Sequence, residues 1–261
     1  MTWVAGALDK PDSLVELCKD ADAVIHVAGV ISAPDAAGFE KGNVDGTLAM
    51  LAAATARGVG RFVHVSSLAA REPALSLYGA SKAQSEELVE SSGLHWDIVR
   101  PPAVYGPGDK ETLELFKMAA KGIIFMPPPG RASYIHVDDL AALLLALTRP
   151  DAPTGLIIEP DDGMKDCWTH QGFGLALGRA VGKPAKVLSA PRFVLKLGAW
   201  GDRLVRGDAA KLTPDRAAYF CHKDWAVDPK QAAPVSLWRP QIPTEQGLAD
   251  TAIWYRAQGW L

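Results

Sequence analysis

Cysteine is scarce in this chain. Cys18, Cys167 and Cys221 stand far apart and form no C-x-x-C pair. That spacing excludes a disulfide framework and a zinc site, and makes a reducing compartment, the cytoplasm, the expected setting. An excess of positive charge is also lacking. Twenty-seven Lys and Arg face 30 Asp and Glu, for a net charge of −3, so nothing points to nucleic acid. The longest apolar run, Leu140 to Leu147, is far too short to cross a bilayer. The N-terminus lacks the basic region and apolar stretch of a secretory signal. There is no internal repeat and no low-complexity tract. What is present is 261 residues, 48% hydrophobic and 22% charged, enough to bury a substantial core without crosslinks.

Strand-like and helix-like segments alternate. Met1–Leu8 reads as a strand that begins almost at the first residue. Ser13-x-x-Glu16 fits a capping box for a helix leading to the next strand, Ala23–Ala28, which ends at Gly29. Val44, Leu48, Leu51, Ala52 and Thr55 fall at helical spacing. Arg61–Val65 is a strand ending in Ser66-Ser67. Tyr78–Glu90 reads as a helix with Ala83, Leu88 and Val89 inward. Leu94–Arg100 is a strand closed by Pro101-Pro102, and a helix covers Glu111–Ala120. Asp138 is placed to cap an apolar helix over Leu140–Leu147, and Gly155–Glu159 is a further strand. This alternation predicts an α/β fold with a doubly wound parallel sheet.

After Pro160 the pattern loosens into a smaller, mostly helical region. Helices are expected near Trp168–Val181, Arg192–Val205, Thr213–Cys221 and Thr244–Gln258, with a strand at Lys186–Leu188. The expected division is therefore 1–160 and 161–261. Phe193, Val194, Leu197, Trp200, Leu204 and Val205 alternate with Arg192, Lys196, Arg203 and Arg206 in an amphipathic pattern. Such a helix packs on its own domain, covers an apolar substrate or touches a membrane surface.

The residues that carry chemistry centre on Tyr78-Gly-Ala-Ser-Lys82. Four helical residues advance about 400°, which puts Tyr78 and Lys82 on nearly one face. A phenol ionises near pH 10, and a neighbouring ammonium favours the phenolate. Ser66 and Ser67 end a strand, where α/β folds place ligands. Together these groups suit proton transfer at a carbonyl or alcohol. A solvated helix face would show the same Tyr-x-x-x-Lys spacing. His26, His64 and His136 lie in or beside apolar strands and read as hydrogen-bonded core residues. His95, His170 and His222 have no metal-ligand spacing, so no metal is expected. Asp138-Asp139 suits structural hydrogen bonding.

Six segments, in order, resemble the extended short-chain dehydrogenase/reductase family, the group of nucleotide-sugar epimerases and dehydratases, dihydroflavonol reductases and 3β-hydroxysteroid dehydrogenases. They are Val24-Ile-His-Val-Ala-Gly29, Asn43-Val-Asp-Gly-Thr47, Phe62-Val-His-Val-Ser-Ser67, Tyr78-Gly-Ala-Ser-Lys82, Arg100-Pro-Pro-Ala-Val-Tyr-Gly-Pro-Gly108 and Tyr134-Ile-His-Val-Asp-Asp-Leu-Ala141. The resemblance implies an NAD(P)-binding Rossmann domain followed by a substrate-binding region. It implies Tyr78 as the catalytic acid/base, Lys82 lowering its pKa and binding the nicotinamide ribose, and Ser67 holding the substrate oxygen, with Ser66 as the alternate. Val27, Ala28, Gly29, Pro101, Pro102 and Val104 would lie along the cofactor, NAD or NADP. Asn43 supports site geometry in the family, and a solvated helix-start asparagine is the other reading. A small-molecule substrate and a homodimer are further implications.

Two features depart from the family. Its glycine-rich fingerprint, G-x-x-G-x-x-G after a first strand, has no counterpart here. That loop gives a tight turn and turns a helix N-terminus toward the pyrophosphate. Gly172-Phe-Gly-Leu-Ala-Leu-Gly178 has similar glycines but lies inside a helical pattern. Matched to the family, Met1–Leu8 corresponds to the third strand, so the N-terminal β-α-β-α segment, about sixty residues, is expected to be missing and cofactor binding impaired. The strand near Trp3 would then lack its neighbour. Second, Ala103 stands where nucleotide-sugar enzymes of the family carry asparagine, which favours a less polar substrate. The expected function is hydride transfer to or from an alcohol or ketone other than a nucleotide sugar. A non-catalytic relative that binds a ligand or partner is the alternative, and a shortened gene product of a family enzyme is a third reading.

Overall fold

A computed structural model describes residues 2–261 apart from 192, 194–196, 198–200, 202–206 and 208–212. In chain order its elements begin α1 (Pro11–Leu17), β1 (Ala23–His26), α2 (Ala36–Phe39), a π-helical segment (Glu40–Asp45), α3 (Gly46–Ala56), β2 (Arg61–Val65), a 3-10 turn (Leu68–Arg71), α4 (Leu77–Glu90) and β3 (Trp96–Val99). Then follow β4 (Ala103–Tyr105), α5 (Leu113–Ala120), β5 (Ile123–Met126), β6 (Arg131–Ala132), β7 (Tyr134–His136), α6 (Val137–Leu147) and β8 (Leu156–Ile158). Last come β9 (Trp168–Thr169), α7 (His170–Ala180), β10 (Lys186–Ser189), α8 (Pro214–Phe220), β11 (Asp224–Trp225) and α9 (Thr244–Ala257).

The described residues form two compact units that do not follow a single cut. The first holds residues 1–100 and 143–159, the second 101–142 and 160–261. Residues 101–142 thus group with the C-terminal region, whereas a division at residue 160 would leave them in the first.

The first unit is built on a parallel sheet in the order β1-β2-β3-β8 with flanking helices, the α/β architecture expected. Val24 pairs with Phe62, His64 with Ile98, and Ile98 with Ile157. Strands covered on both faces need apolar side chains throughout, and Phe62, Val63, Ile98 and Val99 are fully buried. Against Phe62 and Ile98 pack Leu14 of α1 and Cys18 just after it, Met50, Leu51, Ala53 and Ala54 of α3, and Val89 of α4. Truncating a fully buried phenylalanine such as Phe62 costs about 3–5 kcal/mol.

Several local expectations are corrected. Residues 2–7 form no strand, and Trp3 is 87% exposed. Among the described residues no strand pairs with this segment, and its Ala7 is held instead by Ser13 Oγ and Lys10 N. The first helix starts at Pro11, so Ser13 lies inside it and caps nothing. Its hydroxyl instead donates to Lys10 O at 2.7 Å and accepts from Ala7 N at 3.2 Å. Asn43 of the π-helical segment and Thr47, Met50, Leu51 and Ala54 of α3 face inward, while Leu48, Ala52 and Thr55 are exposed. Asp138 sits within the first turn of α6, its amide donating to His136 Nδ1 at 3.2 Å.

In the second unit β4 pairs with β7, β5 with β10, and β6 lies between β9 and β11. Tyr134 lies flat on Phe173, with ring centroids 3.6 Å apart, and Tyr255 meets Phe116 edge-on at 5.1 Å. Asp139 accepts from the amides of Gln241 and Ile242 at 2.9–3.1 Å, the structural role expected of it. The glycines between 172 and 178 lie in α7. A Cβ at Gly174 would stand 2.9 Å from Val187, and one at Gly178 3.0 Å from Lys183 O. They let α7 approach β10 rather than a phosphate. The amphipathic segment from Arg192 to Arg206 falls largely outside the described residues. Within it Phe193 and Leu197 are 65% and 63% exposed.

Candidate active site

The site is assembled in the first unit, at the carboxyl end of β2. Ser66 continues the ladder, its amide donating to Val99 O at 2.7 Å. Its buried Oγ has no hydrogen-bond partner among the described residues. Ser67 is extended, and its Oγ accepts from Ala69 N at 3.2 Å, which caps the 3-10 turn. At the head of α4, Ser76 Oγ accepts from Gly79 N at 2.9 Å, an N-cap that places Tyr78 in the first turn. Turn and helix meet closely: a Cβ on Gly79 would lie 2.6 Å from Ala69 O.

The Tyr78 phenol hydrogen-bonds with Ser67, and its ring stands 6.1 Å from that of Phe39. Burial raises the phenol above its ordinary pKa, and the Ser67 hydrogen bond pulls it partway back. Lys82 follows one turn later and is buried. Its Nζ donates to Val65 O at 2.9 Å. Burial lowers the ammonium to about 8, opposed by the charge of Glu86. The structure therefore brings Ser67 to the Tyr78 phenol and sets Lys82 one turn along the helix, bonded to Val65 O.

The loop after β1 is tied to the same helix by Asn43, which is buried rather than solvated. Its Oδ1 accepts from Val30 N at 2.7 Å, and its Nδ2 donates to Val30 O at 3.0 Å and to Ser81 Oγ at 2.9 Å. Ser81 Oγ in turn donates to Tyr78 O at 2.8 Å. Gly29 is required by this asparagine, since a Cβ there would meet Asn43 Oδ1 at 2.7 Å. Val27, Ala28 and Gly29 are exposed just past β1. Pro101, Pro102 and Val104 belong to the second unit, where Pro101 is buried and Val104 pairs with Ile135.

Two histidines stand behind the lysine. His26 Nε2 meets Thr47 Oγ1 at 3.1 Å, and the rings of His26 and His64 stack at 5.5 Å. Ser85 Oγ donates its one proton to Lys82 O at 2.7 Å, so at its 3.0 Å contact with His64 Nε2 the imidazole must be the donor. His64 Nδ1 then carries a buried lone pair with no partner among the described residues. Burial, and next the Lys82 charge, lower His26 to about 4 and His64 well below its ordinary value. Ser76, Ser81, Thr47 and Ser85 were not anticipated as supports. Only Ser76, three residues before Gly79, carried a sequence signal, the N-cap spacing.

Residues 1–158 match the NAD dependent epimerase/dehydratase family. The chain is 38% identical over 270 residues to the ceramide reductase of Caulobacter vibrioides (strain NA1000 / CB15N), covering 99% of this chain and 81% of that protein. The chain belongs to the NAD dependent epimerase/dehydratase family. The dTDP-glucose 4,6-dehydratase of Streptomyces antibioticus is 28% identical over 285 residues, covering 98% of this chain and 76% of that one. The solved structure of MoeE5 in complex with UDP-glucose and NAD superposes with a TM-score of 0.73 at 19% identity, covering 98% of this chain and 85% of that one. This likeness shows the shared fold.

Membership of this family raises the question of how the residues present suit its cofactor. Beside β1 the first unit has a cleft of about 460 Å³, lined by Val4, Leu8, Leu17, Ile25, Val27 and Met50 among others. Its lining is apolar save Ser13 and His26 and includes no lysine or arginine. Such a wall suits a flat ring and offers nothing to offset a diphosphate. Tyr78 and Lys82 do not line this cleft, and they are the polar groups of this unit that could face a nicotinamide ribose. Among the described residues no cluster of side chains could hold a metal ion, and no helix is long and apolar enough to cross a membrane.

Proposed function

We propose that this chain is an NAD(P)-dependent reductase acting on a carbonyl of an apolar, ceramide-class lipid. The hydrogen-bonded Ser67–Tyr78 pair with buried Lys82 one turn on carries the chemistry. The substrate class is supported by the 38% identity to a ceramide reductase along 99% of the chain, and by Ala103 in place of the asparagine typical of nucleotide-sugar enzymes. The first unit serves the cofactor and the second the substrate.

When bound, the nicotinamide supplies the hydride that adds to the carbonyl carbon. Ser67 holds the carbonyl oxygen. Tyr78 delivers its phenolic proton to that oxygen as charge develops, which gives the alcohol, and recovers a proton from solvent. A phenol kept neutral by burial is in the correct state for this direction. Lys82 places positive charge beside the phenolate formed in passing. Val27, Ala28, Gly29, Pro101, Pro102 and Val104 are assigned to the cofactor's path. Affinity for NAD(H) or NADP(H) is weak in this chain, a reading supported by the absence of the glycine-rich fingerprint.

The test follows NADH and NADPH oxidation with a ketone-bearing ceramide and, separately, loss of dTDP-glucose by chromatography with NAD present. Turnover of the lipid alone, reduced at least 100-fold in Tyr78→Phe, is the expected result. Consumption of dTDP-glucose, or an unchanged Tyr78→Phe, overturns the reading. Calorimetry decides the cofactor: no binding by the folded chain supports a ligand-binding relative, and nanomolar binding disproves the weak affinity.

A further inference from the structure

Tyr78, Lys82 and Glu86 recur every fourth residue along α4, on one face of the helix. Glu86 is buried, with its side chain 5% exposed. A carboxylate so placed must be paired, and its partner is Arg100 at the end of β3. Arg100 Nε donates to Glu86 Oε1 at 2.9 Å and Nη2 to Oε2 at 2.6 Å, a two-pronged fork. Arg100 Nη1 also lies 3.7 Å from Glu159 Oε1, just past β8. Glu159, with a side chain 1% exposed, accepts from Arg71 Nη1 at 3.0 Å. Arg71 ends the 3-10 turn that Ser67 caps. The ion pairs thus run from the helix bearing Tyr78 and Lys82 to the turn bearing Ser67.

We propose that Glu86, clamped by Arg100, is the positioning residue that holds the charge of Lys82 in its buried place, and that Glu159 and Arg71 close the chain onto the serine turn. Two buried carboxylates, each held by an arginine that is only partly covered, are a costly way to gain stability alone. Here they join the two halves of the proton-transfer site. The lysine's own hydrogen bond goes to Val65 O, so Glu86 acts on it through charge. The other titratable groups near Lys82 are Tyr78 one turn back on α4, His26 on β1 and His64 on β2. Burial keeps all three neutral at physiological pH, which leaves Glu86 as the nearby group that favours the ammonium.

This inference rests on the proposed role of Lys82, but its test needs no turnover. The full chain, with 13C- and 15N-labelled lysine and no added cofactor, is titrated by NMR. Lys82→Arg identifies the Lys82 signal. The Lys82 midpoint should fall by about one pH unit in Glu86→Gln, a tenfold loss of proton affinity. Glu86→Asp, which keeps the charge, should recover most of it. An unmoved midpoint in folded Glu86→Gln overturns the proposal. If Glu86→Gln does not fold, Glu86→Asp is read alone: a small downward step supports the proposal, and no step overturns it. In turnover, Glu86→Gln should lower kcat with KM held and move its alkaline limb to lower pH. If the NMR midpoint shifts while Tyr78→Phe retains activity, the function fails and the positioning role stands.

Discussion

Burial at Lys82 and Tyr78 works against the charged form of each, and the consequences differ in sign. For Lys82 the folded value of about 8 lies below its ordinary 10.5. Its contribution to stability is present above pH 10.5 and lost as pH falls through 8. At pH 7 the buried ammonium therefore costs on the order of 3 kcal/mol. Lys82→Met should raise resistance to urea at pH 7, show little gain near pH 10.5, and abolish turnover. For Tyr78 the Ser67 hydrogen bond favours the phenolate. Ser67→Ala should move the pH profile for alcohol oxidation to higher pH, and an unshifted profile would refute the contact's role. Tyr78, Lys82 and Ser67 were legible in the sequence because their spacing and strand-end position carry chemistry of their own. Glu86 was not, since a glutamate four residues after a lysine on a helix usually belongs to a solvated face.

Within elements, the inward faces of α3 and α4 explain why periodicity misled. α4 buries Lys82, Ser85 and Glu86 beside Gly79 and Val89. α3 buries Thr47 to meet His26. A hydrophobic pattern cannot register polar residues such as Thr47 and Ser85, whose partners His26 and His64 lie on strands distant in sequence. Two predictions belong here. Asn43→Ala strands Val30 N and Val30 O and takes one donor from Ser81 Oγ, and should cost about 2–3 kcal/mol, read by chemical denaturation. Gly79→Ala drives a methyl against Ala69 O, 2.6 Å away in the placed geometry. It should displace the serine turn and lower kcat more than it lowers thermal stability.

For the molecule as a whole, alternating strands and helices sufficed to predict the parallel sheet, because strands buried on both faces are apolar throughout. The division into units was not readable, because residues 101–142 and 160–261 come together only through long-range packing. The sheet also carries opposed titrations. Asp97, fully buried, is raised to about 6 by burial against the pull of Leu156 N and Arg61. Its stabilising effect is present below pH 3.8 and lost as pH rises through 6. His26, lowered to about 4, acts oppositely: its effect is present above 6.5 and lost as pH falls through 4. His64 adds to that acid loss. Unfolding free energy should fall between pH 6.5 and 4, less steeply in His64→Gln and more steeply in Asp97→Asn, as measured by urea titration across that range.

The unpartnered nitrogen of His64 has a different consequence. A neutral imidazole with a bare lone pair is a nucleophile, and this one is sealed behind the sheet. An acylating reagent such as diethyl pyrocarbonate would mark exposed His95 at once but reach His64 only when the strands part. The rate at which His64 is marked is then a clock for opening of this unit, and it should quicken in any variant that loosens the ion-pair chain at Arg100.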